Sequence, residues 1–482
     1  MTMQNGMAGG VAADDLDGLR AAFETLSAGF AAERYPALEV RRDRLDRLWD
    51  ALDRYADRLC DALGSDFGYR SPRQSYFADV ATTGKFIRLT RRGVRRWMKP
   101  ERRSVEFLFA LFGASARVEY QPLGVVGILS PWNIPVNLTL TPLAGVLAAG
   151  NRALVKPSEH TPATAEVMSE MLRSAFAPDE VGVVTGGVET GRAFSRLPLD
   201  HLVFTGGEAI ARHIMRDAAD NLTPLTLELG GKSPVIVGRS ADLDLAVRRI
   251  AFGKVFNAGQ VCLAPDYVFV HRADLERFVQ SMQRELARTL PAGADDPDFV
   301  SVINDRQGDR IRRYIGEAEA AGVRVLCAAK PGSDGSNRIP ITLMVDPPDQ
   351  LAVSREEIFG PILVIRGYES IDEVLAYINA RPRALALYYF GRDAAEQRQV
   401  ISGTASGGVT VNDVIMHYTI DDLPFGGVGA SGMGAYHGFD GFRQFSHARA
   451  IYRQAGVDLG RVIRPPYGKL FDRFSRYTMS GK

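Results

Sequence analysis

The chain has 482 residues, beyond the roughly 250–300 at which a single hydrophobic core stops growing, so two or three domains are expected. Apolar residues make up 46% and charged residues 24%, which excludes a disordered, collagenous or disulfide-stapled chain. Lys plus Arg number 58 against 57 Asp plus Glu, so the net charge of +1 provides no field for nucleic acid, and small ligands are the expected partners.

The N-terminal stretch MTMQNGMAGGVAADD has neither a basic n-region nor an apolar h-region; no signal peptide is expected, and about a dozen residues there read as disordered. From residue 14 to 64, Leu16, Leu19, Phe23 and Leu26, then Leu45, Leu48, Leu52 and Leu59 recur at helical intervals, giving a helical N-terminal layer. KFIRLTRRGVRRWMKPERR (85–103) carries nine basic residues and reads as a solvated helix face or subunit contact. Tyr120 to Asn151 carries no charge, yet Pro122, Pro131, Pro135 and Pro142 should interrupt any spanning helix, so no integral membrane segment is expected.

Strands and helices then alternate. RVEYQPLGVVGILS reads as strand, TPLAGVLAAGN as a helix ending at Gly150, and RALVKP as a buried strand. Thr161 and Pro162 offer an N-cap and first-turn proline to the next helix. VGVVTG, DHLVFTG, TPLTLELGG, PVIVGR and YVFVH are further strands, and Asp242 opens a helix through Phe256. This spacing predicts parallel sheets with helices on their faces, as in dinucleotide-binding domains. DDLPFGGVGASGMGAYHG, a third of it glycine, is a loop, and RPPYGKLFDRFSRY is a tail packing elsewhere.

Neither a G-x-G-x-x-G after a strand, nor a Walker-type loop, nor H-E-x-x-H is present. Three cysteines, Cys60, Cys262 and Cys327, show no metal-ligand spacing, so no metal site is expected, and a reducing cytoplasm suits them best. Cys262 lies in the glycine-flanked NAGQVCLAPD, but a lone cysteine is more often a small buried apolar residue. Cys60 and Cys327 fall in helix- and strand-like apolar settings, and His437 reads as a loop hydrogen-bonder.

The companions of Cys262 change its weight. PWNIP places the Asn133 carboxamide among prolines, LELGGK puts Glu228 before paired glycines, KPSE ends a strand with Lys156 and Glu159, and EEIFGP repeats an acid-then-turn design. In this order, from about residue 40 to 470, these segments resemble the aldehyde dehydrogenase superfamily. The resemblance implies an α/β fold with a Rossmann-type cofactor domain (14–103 and 121–229), an α/β catalytic domain (230–412), and an oligomerisation or bridging element (104–120 and 413–482). It also implies Cys262 as nucleophile, Glu228 as general base, and Asn133 as oxyanion donor.

For the cofactor, NAD with NADP possible, the resemblance assigns Lys156 and Glu159 to the adenosine ribose and Glu357 to the nicotinamide ribose. Phe359 is expected to pack near the nicotinamide, and Trp132, Ser158, Thr205, Gly206, Gly207, Leu229 and Gly230 complete the contacts. The phosphate loop departs from the usual FTGS-x-x-x-G: it reads FTGGEAIA, with Gly207, Glu208 and Ala211, and an acid beside a pyrophosphate is unfavourable unless it points away. FGGVGASGMGAYHG, PDYVFVH and the RPPYGKL tail are most similar to the class 3 branch and its coniferyl aldehyde dehydrogenases, which implies a homodimer and an aromatic or medium-chain aldehyde. The alternatives are a CoA-acylating relative, in which a water-activating Glu228 has less use, and a non-catalytic protein that keeps the fold.

Overall fold

The computed structural model describes residues 15–327 and 337–480, so the N-terminal segment read as disordered lies outside the described residues. Leu16–Ala32 (α1) and Leu38–Asp66 (α2) form the helical layer, and Leu45, Leu48, Leu52 and Leu59 are all buried along one face of α2. Burying each such leucine contributes about 2 kcal/mol, enough for the face to fix the helix. A π-helical turn, Tyr76–Ala81, leads into Thr82–Trp97 (α3), which buries Phe86, Ile87, Val94 and Trp97 and turns its arginines outward.

The strand expected over 117–130 breaks at Leu123 and Gly124, the latter at φ +150, into two strands of different sheets. Glu101–Arg103 (β1) and Ser115–Pro122 (β2) join Ser446–Arg453, the last strand of the chain, in a three-stranded antiparallel sheet. Val125–Leu129 (β3) instead starts a buried parallel sheet. Asn137–Ala149 (α4) follows, all thirteen of its residues buried, and Gly150 ends it at φ +93. The uncharged run is therefore interior packing. Pro142 lies inside α4 without breaking it, whereas Pro131 and Pro135 precede its start. Among the described residues no helix is long and apolar enough to cross a membrane.

Arg152–Lys156 (β4), Val181–Val183 (β5), His201–Thr205 (β6) and Leu225–Glu228 (β7) complete the parallel set, in the order β7-β6-β3-β4-β5. Between them run Pro162–Ala175 (α5), Val188–Ser195 (α6) and Glu208–Ala219 (α7). The chain winds one way from β3 and the other way through β6, so a crevice opens beyond the carboxyl ends of those two strands, where such sheets take ligands.

Pro234–Val237 (β8), Tyr267–His271 (β9), Arg324–Cys327 (β10), Thr342–Val345 (β11), Ile362–Tyr368 (β12), Ala386–Phe390 (β13) and Gly408–Val411 (β14) build a seven-stranded sheet, parallel except for the β10–β11 pair. Its helices include Leu243–Val255 (α8), capped by Asp242 as expected, and Asp305–Ala320 (α9). Gly432–Met433 (β15), from the glycine-dense segment, pairs antiparallel with β7, setting Gly432 opposite Glu228. Ser446–Arg453 is β16, and the tail ends in Lys469–Ser480 (α10), which buries no residue.

Thr161 occupies the N-cap position of α5 but its side chain makes no capping bond. The Asp66 carboxylate, from the end of α2, accepts instead from the amides of Ala163 (3.0 Å) and Thr164 (2.8 Å) and from the Thr164 hydroxyl. Asp66→Ala is expected to lower unfolding stability by about 1–2 kcal/mol, with Thr161→Ala costing less, as read from urea denaturation midpoints; the reverse order would restore the cap to Thr161.

Candidate active site

A cleft of about 540 Å³ lies between the two large sheets. The first sheet presents the carboxyl ends of β3, β6 and β7 to it, while the second presents residues that precede its strands: Gly230 before β8, Cys262 before β9, and Glu357 and Phe359 before β12. All fourteen residues singled out in the sequence line this one cleft: Cys262, Glu228, Asn133, Lys156, Ser158, Glu159, Thr205, Gly206, Gly207, Leu229, Gly230, Trp132, Glu357 and Phe359.

The Cys262 loop is built by three successive left-handed residues, Asn257 (φ +50), Ala258 (φ +51) and Gly259 (φ +71), directly after α8. A Cβ on Gly259 would strike the Gly360 carbonyl, so only glycine lets this loop close on the EEIFGP segment. The Tyr388 hydroxyl donates to the Leu263 carbonyl (2.6 Å), and the Ser233 hydroxyl reaches the Cys262 carbonyl (3.5 Å). The backbone at the thiol is thus held while the side chain stays partly open to the cleft. Burial, together with the carboxyls of Glu228 and Glu357, pushes the Cys262 thiol well above its ordinary range, although the Cys262 and Leu263 amides favour the thiolate.

The Asn133 amide nitrogen donates to the Gln260 carbonyl (3.1 Å), and the Asn133 main-chain carbonyl accepts from the Asn257 amide (3.0 Å). One hydrogen of the Asn133 carboxamide nitrogen is left for a ligand. Glu228 ends β7, is 3% exposed, and has no hydrogen-bonded partner at either oxygen. Burial raises it well above a normal carboxyl, and the nearby Gly427 amide offsets this only in part. Desolvation makes the ionised form of Glu228 a stronger base than a solvated carboxylate, so it can take a proton from a nearby thiol or water.

Glu357 is half-buried and pushed up to about 7, chiefly by desolvation. Its carboxyl occupies the space a Cβ at Gly230 would need. Three cations pin its segment: Lys232 donates to the Val353 and Glu356 carbonyls (2.8 and 2.9 Å), Arg310 to those of Glu357 and Phe359 (3.1 and 3.4 Å), and Lys254 to that of Gly360 (3.3 Å). Phe359 sits at φ +44 and meets Trp132 edge-on, ring centroids 5.3 Å apart.

At the far end Lys156 and Glu159 are paired at 3.0 Å. Burial alone would raise Glu159, but Lys156 outweighs it and leaves the carboxylate below its ordinary range. The N-terminus of α7 has no side-chain cap at Gly207, and Val188 and Ile210, 60% and 57% exposed, line the cleft from α6 and α7. An uncapped helix start with two apolar side chains beside it fits a phosphate followed by a flat ring. Glu208 turns back to pair with Arg212 (2.5 Å) and does not line the cleft, so the FTGGEAIA departure leaves no acid there.

The cleft also holds His160, Arg306, Gln307 and Arg310, which the sequence did not single out; on amphipathic α9 the arginine is one of several, with no motif to mark it. His437 departs from the expected loop hydrogen bond. It is 1% exposed, neither ring nitrogen has a hydrogen-bond partner, and it packs among Phe86, Tyr418, Phe425 and Tyr436. Cys60 is buried and pushed up to about 11, whereas Cys327 is exposed on a strand and not in the apolar setting expected. Among the described residues no cluster of ligating side chains could hold a metal ion.

Because the Cys262 thiol is raised, its alkylation by iodoacetamide in the ligand-free protein is expected to keep accelerating between about pH 8.5 and 10, and levelling near 8.5 would mean an ordinary thiol.

The pattern of the aldehyde dehydrogenase family matches residues 4–451. A coniferyl aldehyde dehydrogenase of a Pseudomonas species is 48% identical over 443 residues, 91% of each chain. The solved structure of Staphylococcus aureus AldH in its substrate-bound state superposes with a TM-score of 0.90 at 33% identity, covering 95% of this chain and 99% of that one. The NAD+ complex of an aldehyde dehydrogenase from Bacillus cereus superposes with a TM-score of 0.82 at 25% identity, covering 91% and 89%. At this identity and coverage, the chain belongs to the aldehyde dehydrogenase family.

Proposed function

We propose that this enzyme oxidises an aromatic or medium-chain aldehyde, of the coniferaldehyde type, to the carboxylic acid through a thioester on Cys262, with NAD+ in the cleft. The observation that carries this is the buried, unpartnered Glu228 carboxyl in the same cleft as the Cys262 thiol and the spare Asn133 amide hydrogen. The likeness to a coniferyl aldehyde dehydrogenase supports the substrate class.

The Cys262 sulfur adds to the aldehyde carbon, and its proton passes to a base within reach. The oxyanion that forms is met by the Asn133 amide and the Cys262 backbone N–H, each donor contributing about 3–4 kcal/mol. The nicotinamide, when bound, supplies the acceptor for the aldehyde hydrogen, which leaves carbon with its electron pair and turns the Cys262 adduct into a thioester. Glu228 then takes a proton from water, the water oxygen attacks the thioester carbonyl, and the acid departs as the Cys262 sulfur is released. Lys156 and Glu159 hold the adenosine ribose and Glu357 the nicotinamide ribose. The depressed Glu159 carboxylate repels a 2′-phosphate and favours NAD over NADP. Thiol chemistry of this kind suits the reducing cytoplasm.

A homodimer fits the uncovered surfaces. β16 is a sheet edge, α10 buries nothing, and Phe107, Leu111 and Phe112 are 77%, 66% and 44% exposed beside β2. An open edge strand and an apolar patch of this kind call for a second copy. Light scattering is expected to give about twice the 52.7 kDa chain mass, and a monomer at micromolar concentration would overturn the dimer.

Glu228→Gln is expected to produce about one equivalent of NADH per site on rapid mixing with aldehyde and then stall, with the acyl group on Cys262 visible by mass spectrometry. Steady turnover by that variant would remove Glu228 from deacylation, and turnover by Cys262→Ala would remove the thioester altogether. CoA-dependent release of the stalled acyl group would indicate an acylating enzyme instead.

A further inference from the structure

Asp79 belongs to no motif, is fully buried, and lies on the only π-helical turn among the described residues. A π turn carries one residue more per hydrogen-bonded ring than an α turn, so it displaces a side chain from the regular helical face. Here the carboxylate points at the start of α4. Its Oδ1 accepts from the backbone amides of Val136 (3.0 Å) and Asn137 (3.3 Å), which helix geometry leaves without intrahelical partners. Its Oδ2 lies 2.8 Å from the Arg70 guanidinium, and neither side chain is exposed. A second tie runs alongside, since the Asn137 carboxamide donates to the hydroxyls of Thr82 (3.1 Å) and Thr83 (2.8 Å).

Asn133 stands three residues before Val136, between Pro131 and Pro135, so little slack separates it from the amides that Asp79 holds. On its other side it is tied to the Cys262 loop through Asn257 and Gln260. We propose that Asp79, held by Arg70, is a positioning residue that sets the Asn133 amide against the oxyanion on the Cys262 adduct. The proposal rests on the oxyanion role given to Asn133 above. A carboxylate serves better than a neutral acceptor because the helix start carries partial positive charge and Arg70 needs a buried counter-ion. Removing either partner alone would strand a buried charge, so the test uses pairs.

The experiment measures the burst of NADH in single turnover, together with NAD+ binding by fluorescence quenching in the absence of aldehyde. Arg70→Met with Asp79→Ala removes the acceptor without leaving a lone charge, and is expected to slow the burst by about tenfold to a hundredfold while NAD+ binding changes less than about twofold. Arg70→Gln with Asp79→Asn keeps an acceptor oxygen and should recover most of the rate. Thr83→Val, which touches no charge, should give a milder slowing of the same kind should the first pair fail to fold. In an Asn133→Ala background the acceptor-less pair should slow the burst no further, because two changes acting through one group do not add. Equal slowing in both backgrounds would overturn the proposal, as would a burst unaffected by the acceptor-less pair when Asn133→Ala is slow. A normal burst in Asn133→Ala alone would instead overturn the oxyanion role of Asn133.

Discussion

The site depends on two buried side-chain amides, those of Asn257 and Gln260, that bind one sheet's loop to the other's. Asn257 donates to the carbonyls of Asn133 (3.0 Å) and Gln260 (3.2 Å), and Gln260 donates to those of Asn257 and Ser301 (both 3.0 Å) while accepting from the Ile303 amide. Both residues are fully buried. Such a network is costly to leave half-made and rigid once complete. It carries the strain of the left-handed turn at Asn257 and Ala258, which L residues otherwise avoid. With that turn made, Cys262 faces the cleft and Asn133 lies opposite.

Around this frame the protein concentrates groups that water would keep apart. Glu228 is withdrawn from solvent, Glu357 and Cys262 partly so, and desolvation raises each of them. The nearby cations mostly grip main-chain carbonyls: Lys232, Lys254 and Arg310 hold the EEIFGP segment and leave the Glu228 carboxyl without an ion-pair partner. Lys254 itself is pulled down to about 8 by burial. Desolvation thereby pushes Glu357 up to about 7 and Glu228 well above the ordinary carboxyl range.

Much of this was legible in the sequence. Local signals are cheap to read: Asp242 caps α8, Gly150 ends α4 at positive φ, and strand-helix alternation foretold the parallel sheets. The motif residues, scattered from Trp132 to Phe359, converge on one cleft. The failures share a cause, which is a partner distant in the chain. Thr161 looked like a cap, but Asp66 does that work from 97 residues away in the case of Ala163. His437 looked like a polar loop residue and is instead enclosed by aromatic rings from four other positions.

The sequence by itself determined what short-range geometry controls: element type, the left-handed glycines, the rigid proline frame of Asn133, and the chemical identity of the reacting groups. Only the tertiary structure decided their electrostatics and aim. Whether Glu208 crowds a phosphate depends on its turn toward Arg212, and how far the Glu228 carboxyl is raised depends on its burial at the end of β7, where β15 pairs alongside. Proton affinity follows from desolvation and neighbouring charge, both sums over residues far apart in sequence, so no window of the chain contains them.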